Sequence, residues 1–279
     1  MPQGTRLFTL LHDNPIGGTT MRKMSKIRPN SARMWDYVMG GAHNFGVDRA
    51  AVSLVQKVSP VYDEMLRAQR RFLQRAMTYM AQEKGLDKFL DFGSGLPTRG
   101  NVHEIVQAIN PDTKVIYSDN DSIAVAFGGE ILGDAPHTRF VYADIADPLA
   151  LLESPVVAEL FGGKRRVVGI GLVGVLTYVP DEPAANLFTT LYEWADQGSY
   201  VAVSTAARKA GEVKGARETF RKLGLRLHAR SAQELLDLIG PWQLTEDGVV
   251  PGFYWGLRED EPEINKEIKG YSYCLVAYK

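Results

Sequence analysis

The stretch Lys88–Gly100, reading KFLDFGSGLPTRG, constrains the fold of this chain more than any other. A short apolar segment, KFLDF, runs into two glycines at positions 93 and 95. Glycine has no Cβ, so such a turn can adopt positive φ and bring its backbone against a ligand. After Asn101 the apolar residues Val102, Ile105, Val106 and Ile109 recur at helical spacing, so the turn opens a helix. Strand, glycine turn and helix in that order place a nucleotide-type ligand at the carboxyl edge of an α/β sheet. Asp91 stands where it can accept hydrogen bonds from an ammonium or a hydroxyl.

What the stretch lacks narrows the ligand. A dinucleotide fingerprint needs a third glycine for close helix–strand packing, and Thr98 occupies that position. A P-loop needs G-K-[ST], whereas Gly95 is followed by Leu96 and Pro97. A ligand carrying adenosine and a positively charged amino acid suits the turn better than one presenting phosphates. The plain alternative is a tight strand-to-helix turn with no ligand.

Around this stretch, apolar strand-like segments alternate with helical ones. Strands are expected at Lys88–Phe92, Lys114–Ser118, Arg139–Ala143, Arg166–Val173, Tyr200–Thr205 and Leu225–Ala229. Helices are expected at Asn101–Ile109, Ser122–Leu132, Pro148–Phe161, Glu182–Ala195, Gly211–Leu223 and Ala232–Ile239. The alternation predicts a parallel sheet covered by helices on both faces. Tyr271–Tyr278 is a strand with no helix after it, which suits an antiparallel place at a sheet edge. Its Cys274 is the chain's one cysteine and is expected to be buried packing.

Ahead of this region lie two segments of different character. Residues 1–29 show no sustained periodicity and read as a flexible leader. Residues 30–85 read as three helices. The first is capped by Ser31 and stopped by Gly40–Gly41; the second runs from near Val47 to before Pro60. In the third, Tyr62, Met65, Leu66, Phe72, Leu73, Met77 and Met80 share one face, and Arg67, Arg70, Arg71 and Arg75 read as a solvated one. Residues 86–279 then form the ligand-binding α/β domain.

Composition excludes several classes. With 279 residues, 45% hydrophobic and 23% charged, the chain is an ordinary globular one. It needs no disulfide or metal staple, and no Cys/His metal constellation is visible. A formal charge of −1 gives no bulk attraction to nucleic acid. The most apolar run, Val167–Leu176, is about half the ~20 residues of a membrane span, and no signal-type segment is seen. A cytoplasmic protein acting on a small molecule is expected, without nucleic-acid or membrane partners.

Further candidate site residues lie at the expected strand ends. Asp119 follows Gly95 by 24 residues, near the ~20 expected of an acid gripping ribose hydroxyls. Asp119, Asn120 and Asp121 in a row allow one residue to bind and another to cap the next helix. Asp144 is placed to accept an adenine amine and Ile145 to pack on the ring, or Asp144 simply caps. Gly169, Gly171 and Gly174 permit close backbone approach along the fourth strand, and Tyr178 emerges after it. The segment ARMWDYVMGGAHNFGVDRA (32–50) combines glycine hinges with Tyr37, His43, Asn44 and Phe45, which suits a lid over a polar ligand. A helix-to-helix turn with an Asp48–Arg49 pair is the simpler reading.

Five motifs, ARMWDYVMGGAHNFGVDRAA, FLDFGSGLPTRGNVHE, VIYSDND, YADIADP and GVLTYVPDE, with a weaker sixth in GVVPGFYW, resemble one known family. It is the actinobacterial S-adenosyl methyltransferase family, long catalogued as a domain of unknown function, within the class I S-adenosylmethionine-dependent methyltransferases. The resemblance runs from about Pro29 to the end. It implies a Rossmann-like α/β fold with a seven-stranded, mostly parallel sheet, an antiparallel last strand and an N-terminal helical extension. It implies S-adenosyl-L-methionine as cofactor, with Asp91, Gly93, Ser94 and Gly95 around the methionine moiety. Asp119 would hold the ribose, and Asp144 with Ile145 would frame the adenine. Tyr37, Asn44, Asn120 and Gly171 complete the expected cofactor contacts. In the family a histidine commonly precedes the aromatic residue after the fourth strand; here Thr177 stands at that point.

Methyl transfer from a sulfonium asks mainly for positioning, so the lack of a catalytic triad is no objection. His43 and Tyr178 are the candidate bases for a hydroxyl or amine acceptor. A catalytically idle S-adenosylmethionine-binding regulator or complex subunit is the alternative function.

Overall fold

A computed structural model describes residues 28–98, 100–163 and 165–279. Residues 1–27, most of the expected leader, lie outside the described residues, as do Arg99 and Lys164. Five parallel strands make the centre of the sheet: β1 (Lys88–Phe92), β2 (Lys114–Asp119), β3 (Thr138–Tyr142), β4 (Gly169–Val173) and β5 (Tyr200–Ala206). β6 (Gln243–Leu244), β7 (Val250–Pro251) and β8 (Ser272–Tyr278) follow. The strand order is β3-β2-β1-β4-β5-β8-β6, with β7 pairing β8 off this seven-strand path. β8 is antiparallel to β5, as expected, but the two-residue strands β6 and β7 pair with its far side, so it is not outermost. The chain builds outward from β1 to β3 and then returns to β4 on the other side of β1. That reversal opens a crevice at the carboxyl ends of β1 and β4.

Helices form where apolar residues recur at helical spacing, and caps bound them. They are α1 (Ser31–Val38), α2 (Gly46–Val58), α3 (Tyr62–Thr78), α4 (Val102–Ile109), α5 (Ser122–Leu132), α6 (Pro148–Leu152), α7 (Pro155–Phe161), α8 (Asp181–Trp194), α9 (Arg208–Glu212), α10 (Ala216–Lys222) and α11 (Ala232–Ile239). Asn30, rather than Ser31, caps α1: its side chain accepts from the Ala32 amide at 2.7 Å. The single helix expected over 148–161 is two helices. Pro155 cannot donate an amide to continue the first, so Ser154 restarts the chain as the cap of α7. The helix expected over 211–223 is likewise divided into α9 and α10, with Gly215 between them at φ +82°.

Two expected strands differ. Leu225–Ala229 is not in the sheet: the last strand already covers β5, and the His228 amide instead donates to the Thr177 carbonyl at 2.8 Å. β4 begins only at Gly169, because the Arg166 amide is taken by the Asp196 carboxylate and that of Val168 by the Ser199 hydroxyl.

Alternation along the strands gives each sheet face its own core. Leu90, Phe92, Ile170, Leu172 and Val203 pack with Leu187, Phe188 and Leu191 of α8. Phe89, Val115, Ala202, Cys274 and Val276 pack with Phe72, Met77 and Met80 on the other face, the last of these on the helical turn that prolongs α3. Burial of each large side chain contributes ~1.5–3 kcal/mol. Cys274 is fully buried, and burial pushes its thiol up to about 12. The arginine face of α3 is solvated only in part: Arg67 is exposed and Arg71 half-buried. Arg70 and Arg75 are buried, because the helix is enclosed by the sheet, α1 and the 250–262 segment rather than lying on the surface.

Candidate active site

The glycine turn after β1 is set by backbone conformation and close contact. Gly93 has φ +60° and Gly95 φ +65°. A Cβ on Gly93 would lie 2.3 Å from Cγ2 of Val175, so no larger residue fits. The Ser94 amide donates to the Ser118 carbonyl, and the Gly95 amide donates to Oδ2 of Asp119, both at 3.0 Å. Oδ1 of Asp119 accepts from the Asp121 amide at 2.9 Å. Asp121 in turn caps α5, its Oδ1 accepting from the Ile123 amide at 2.8 Å. One acid of the triplet therefore faces the turn while another caps. Burial raises the Asp119 pKa, opposed by the Asp121 and Gly95 amides. Each of its oxygens keeps a lone pair for a further donor.

Asp91 lies at the end of β1 and is 6% exposed. Burial pushes its carboxyl up to about 7, against the opposing pull of the Arg70 guanidinium; Asp119 adds to the rise. Gly171 is its register partner on β4, and a Cβ there would meet Oδ1 of Asp91 at 2.6 Å. Gly171 thus supports the carboxylate from beneath and does not line the cleft. Arg70 approaches from α3, 9% exposed, its guanidinium 5.5 Å from the Trp35 ring centroid. Arg70 and Asp91 make no direct ion pair, and Nε of Arg70 has no hydrogen-bond partner among the described residues. The same holds for Nε2 of Gln69, beside it. A buried cation and anion thus face one space without touching.

These groups line one cleft of about 250 Å³. Of the sequence-derived candidates, Asp91, Gly93, Ser94, Gly95, Asp119, Asn120, Ile145 and Tyr178 border it. Asp144 does not. It is exposed, and its Oδ1 accepts from the Ala146 amide at 3.0 Å, while Asp147 stands at the N-cap position of α6 before Pro148 without a side-chain capping bond. Tyr37, His43 and Asn44 also lie off the cleft. Tyr37 is 40% exposed, and the His43 ring packs 5.3 Å from that of Phe127. The His43 amide and the Asn44 side chain both donate to Oδ2 of Asp36, which is fully buried. Gly41 has no room for a Cβ, which would meet Oδ1 of Asp36 at 1.9 Å. The 41–45 segment is thus a pinned corner, while Ala32, Trp35, Val55 and Tyr62 of the N-terminal helices border the cleft.

Sequence reading missed Gln69, Arg70 and Trp35. A signal was present: Leu66, Arg70, Leu73 and Met77 fall on one helical stripe, so a lone arginine interrupts an apolar face. Tyr178 borders the cleft with its phenol pushed up to about 12 by burial, so it is a hydrogen-bond donor at neutral pH. Two further buried arginines hold the rim. Arg230 donates to the Leu176 and Val179 carbonyls on either side of Tyr178. Arg75 donates to the carbonyls of Phe253 and Trp255, fixing the segment that carries Phe253 into the cleft.

The sheet order, the antiparallel β8 and an acid-flanked glycine turn at the switch point define a Rossmann-like methyltransferase of class I. The family described as S-adenosyl methyltransferase matches residues 18–279, and the chain belongs to it. The match reaches into the segment expected as leader. A DUF574 family protein from Streptomyces avermitilis MA-4680 is 28% identical, covering 90% of this chain and 98% of that one, with a TM-score of 0.83. A candidate methyltransferase from Thermobifida fusca YX is 30% identical, with 90% and 95% covered and a TM-score of 0.82. No curated protein matches the chain. The protein is an S-adenosylmethionine-dependent methyltransferase. Its cleft fits that cofactor: hydroxyl acceptors at Asp119, a cation acceptor at Asp91, and an unpartnered guanidinium nitrogen at Arg70.

Among the described residues no helix is long and apolar enough to cross a membrane.

Proposed function

We propose that this methyltransferase acts on a small molecule held in the cleft between α3 and the carboxyl ends of β4 and β5. One observation carries the reading: the acid-flanked glycine turn opens into a cleft lined mostly by apolar side chains, with Arg70, Asp91 and Asp119 as its charged groups among the described residues. Bound S-adenosylmethionine supplies an electrophilic methyl group on a positively charged sulfur. The protein's own task is to hold, orient and exclude water.

Asp119 would accept the ribose hydroxyls while the Gly95 and Asp121 amides keep its carboxylate in place. Asn120 would stand beside it, with Ile145 against the adenine face. Asp91 would take the methionine ammonium and Arg70 its carboxylate, two opposite charges matched to one zwitterion. Gly93, Ser94 and Gly95 would let the backbone approach. Orientation of this kind supplies ~7–11 kcal/mol of barrier lowering. Tyr178 would donate a hydrogen bond to the acceptor; His43, packed on Phe127, would support the corner rather than take a proton.

The test is transfer of a deuterated methyl group from labelled S-adenosylmethionine to an extract of small metabolites, read by mass spectrometry. A metabolite gaining the label in the presence of protein supports the reading. Cofactor binding with no labelled metabolite under any condition would instead make the chain a binding regulator.

A further inference from the structure

The cleft continues past the ends of β4 and β5 into a lobe of different character. Its walls are apolar: Leu66, Val213, Phe220 and Leu227 border it. Tyr62 and Tyr178 stand together there, close enough for Tyr178 to raise further the Tyr62 phenol already raised by burial. The charged side chains on the cleft wall among the described residues, Arg70, Asp91 and Asp119, all stand at the donor end.

The floor of the lobe is polar and unsatisfied. Ser204 is 1% exposed and Ser272 is 2% exposed, and neither hydroxyl has a hydrogen-bond partner among the described residues. They share one face of the β5–β8 ladder, where Ser204 opposes Cys274 and Ser272 opposes Ala206. The unpartnered Gln69 amide nitrogen hangs over Gly174, 2.2 Å from where a Cβ would sit, and the Gly174 amide reaches the Ser204 carbonyl. Buried polar groups are nearly always paired, by protein, water or ligand, so three unpaired atoms around one lobe are where a bound polar substituent would find its partners.

We infer that the acceptor is an uncharged aromatic molecule lying against Tyr62 and Tyr178, with one polar substituent bonded by Gln69, Ser204 and Ser272. This rests on the methyl-transfer reading above. Rings favour rings, and an ion would have to lose its water in a lobe where the buried cation beside Tyr178, Arg230, is already taken by the Leu176 and Val179 carbonyls and by Asp181.

The experiment is calorimetric titration of 2-naphthol, 2-naphthoate and 2-naphthylmethylammonium into protein saturated with S-adenosylhomocysteine. Naphthol should bind at least about tenfold tighter than either ion. The double variant Ser204→Ala/Ser272→Ala should weaken naphthol about fivefold with S-adenosylhomocysteine affinity unchanged. Ions binding as well as naphthol, no naphthol binding, or a double variant indifferent to naphthol would each overturn the inference. Should that variant not fold, the ranking of the three probes on the wild-type protein decides alone. Failure of S-adenosylhomocysteine itself to bind overturns the donor site and this inference together; its binding without naphthol overturns this inference only.

Discussion

Nη1 of Arg33 lies 2.9 Å from Oδ2 of Asp121, joining helix α1 to the cap of α5 across 88 residues of chain. Nε of the same arginine meets Oδ2 of Asp48 at 2.9 Å, and Nη2 donates to the Arg28 carbonyl. Asp121 also gives its amide to Asp119. One buried cation therefore ties the N-terminal helices to the acid that faces the glycine turn.

Breaking that tie should cost stability. Arg33→Ala leaves Asp48, which is fully buried, without its cation, and the loss of one partner of such a pair costs about 3–5 kcal/mol. Urea unfolding should show that loss, and Asp48→Asn added to Arg33→Ala should recover part of it. A variant as stable as wild type would mean that the network is incidental.

Asp91 gives the protein a pH dependence. Its folded pKa of about 7 exceeds the ordinary 3.8, so between those values the folded form keeps a proton that the unfolded chain releases. Its contribution to stability is full below pH 3.8 and declines as pH rises toward 7, by ~1 kcal/mol per unit at the steepest. With the cofactor ammonium on Asp91 as proposed, binding needs the ionised form, so S-adenosylmethionine affinity should fall as pH drops below 7, by up to about tenfold per unit. Asp91→Asn should bind weakly and without that slope; calorimetry from pH 5 to 8 checks both.

Arg70 should be felt most by ligands with a carboxylate. At a pH well above 7, where Asp91 stays ionised without Arg70 beside it, Arg70→Met should weaken S-adenosylmethionine by about 10- to 100-fold, the worth of a hydrogen bond to a charged group, and its decarboxylated analogue much less. Equal losses for both ligands would assign Arg70 to packing against Trp35 alone.

Gly93 meets two obstacles at once, a positive φ and the side chain of Val175. Gly93→Ala should lose at least ~1–2 kcal/mol in thermal unfolding from the left-handed conformation alone. Adding Val175→Ala should recover the contact but not the conformational cost. Full recovery would show that crowding was the whole effect.

The sheet was legible because its strands are short apolar runs closed by punctuation, and the glycine turn beside the cleft because Asp91, Gly93 and Gly95 form a local motif. Asp119 was legible from its distance in sequence to that motif. The rest depended on tertiary choices. Whether Arg70 faces water or the cleft is decided by what covers α3, namely the sheet on one side and the Phe253–Trp255 segment on another. His43 and Asn44 carry the right chemistry for a site, but Asp36 claims the His43 amide and the Asn44 side chain. Leu225–Ala229 has strand composition, yet β8 already occupies the edge it would have joined. Local pattern cannot reveal such competition.

The most direct test of the donor site is a crystal structure with S-adenosylhomocysteine. Ribose hydroxyls within hydrogen-bond distance of Asp119, with the amino-acid end between Arg70 and Asp91, are the predicted result. A nucleoside bound elsewhere, with the turn at Gly93–Gly95 bare, would contradict it.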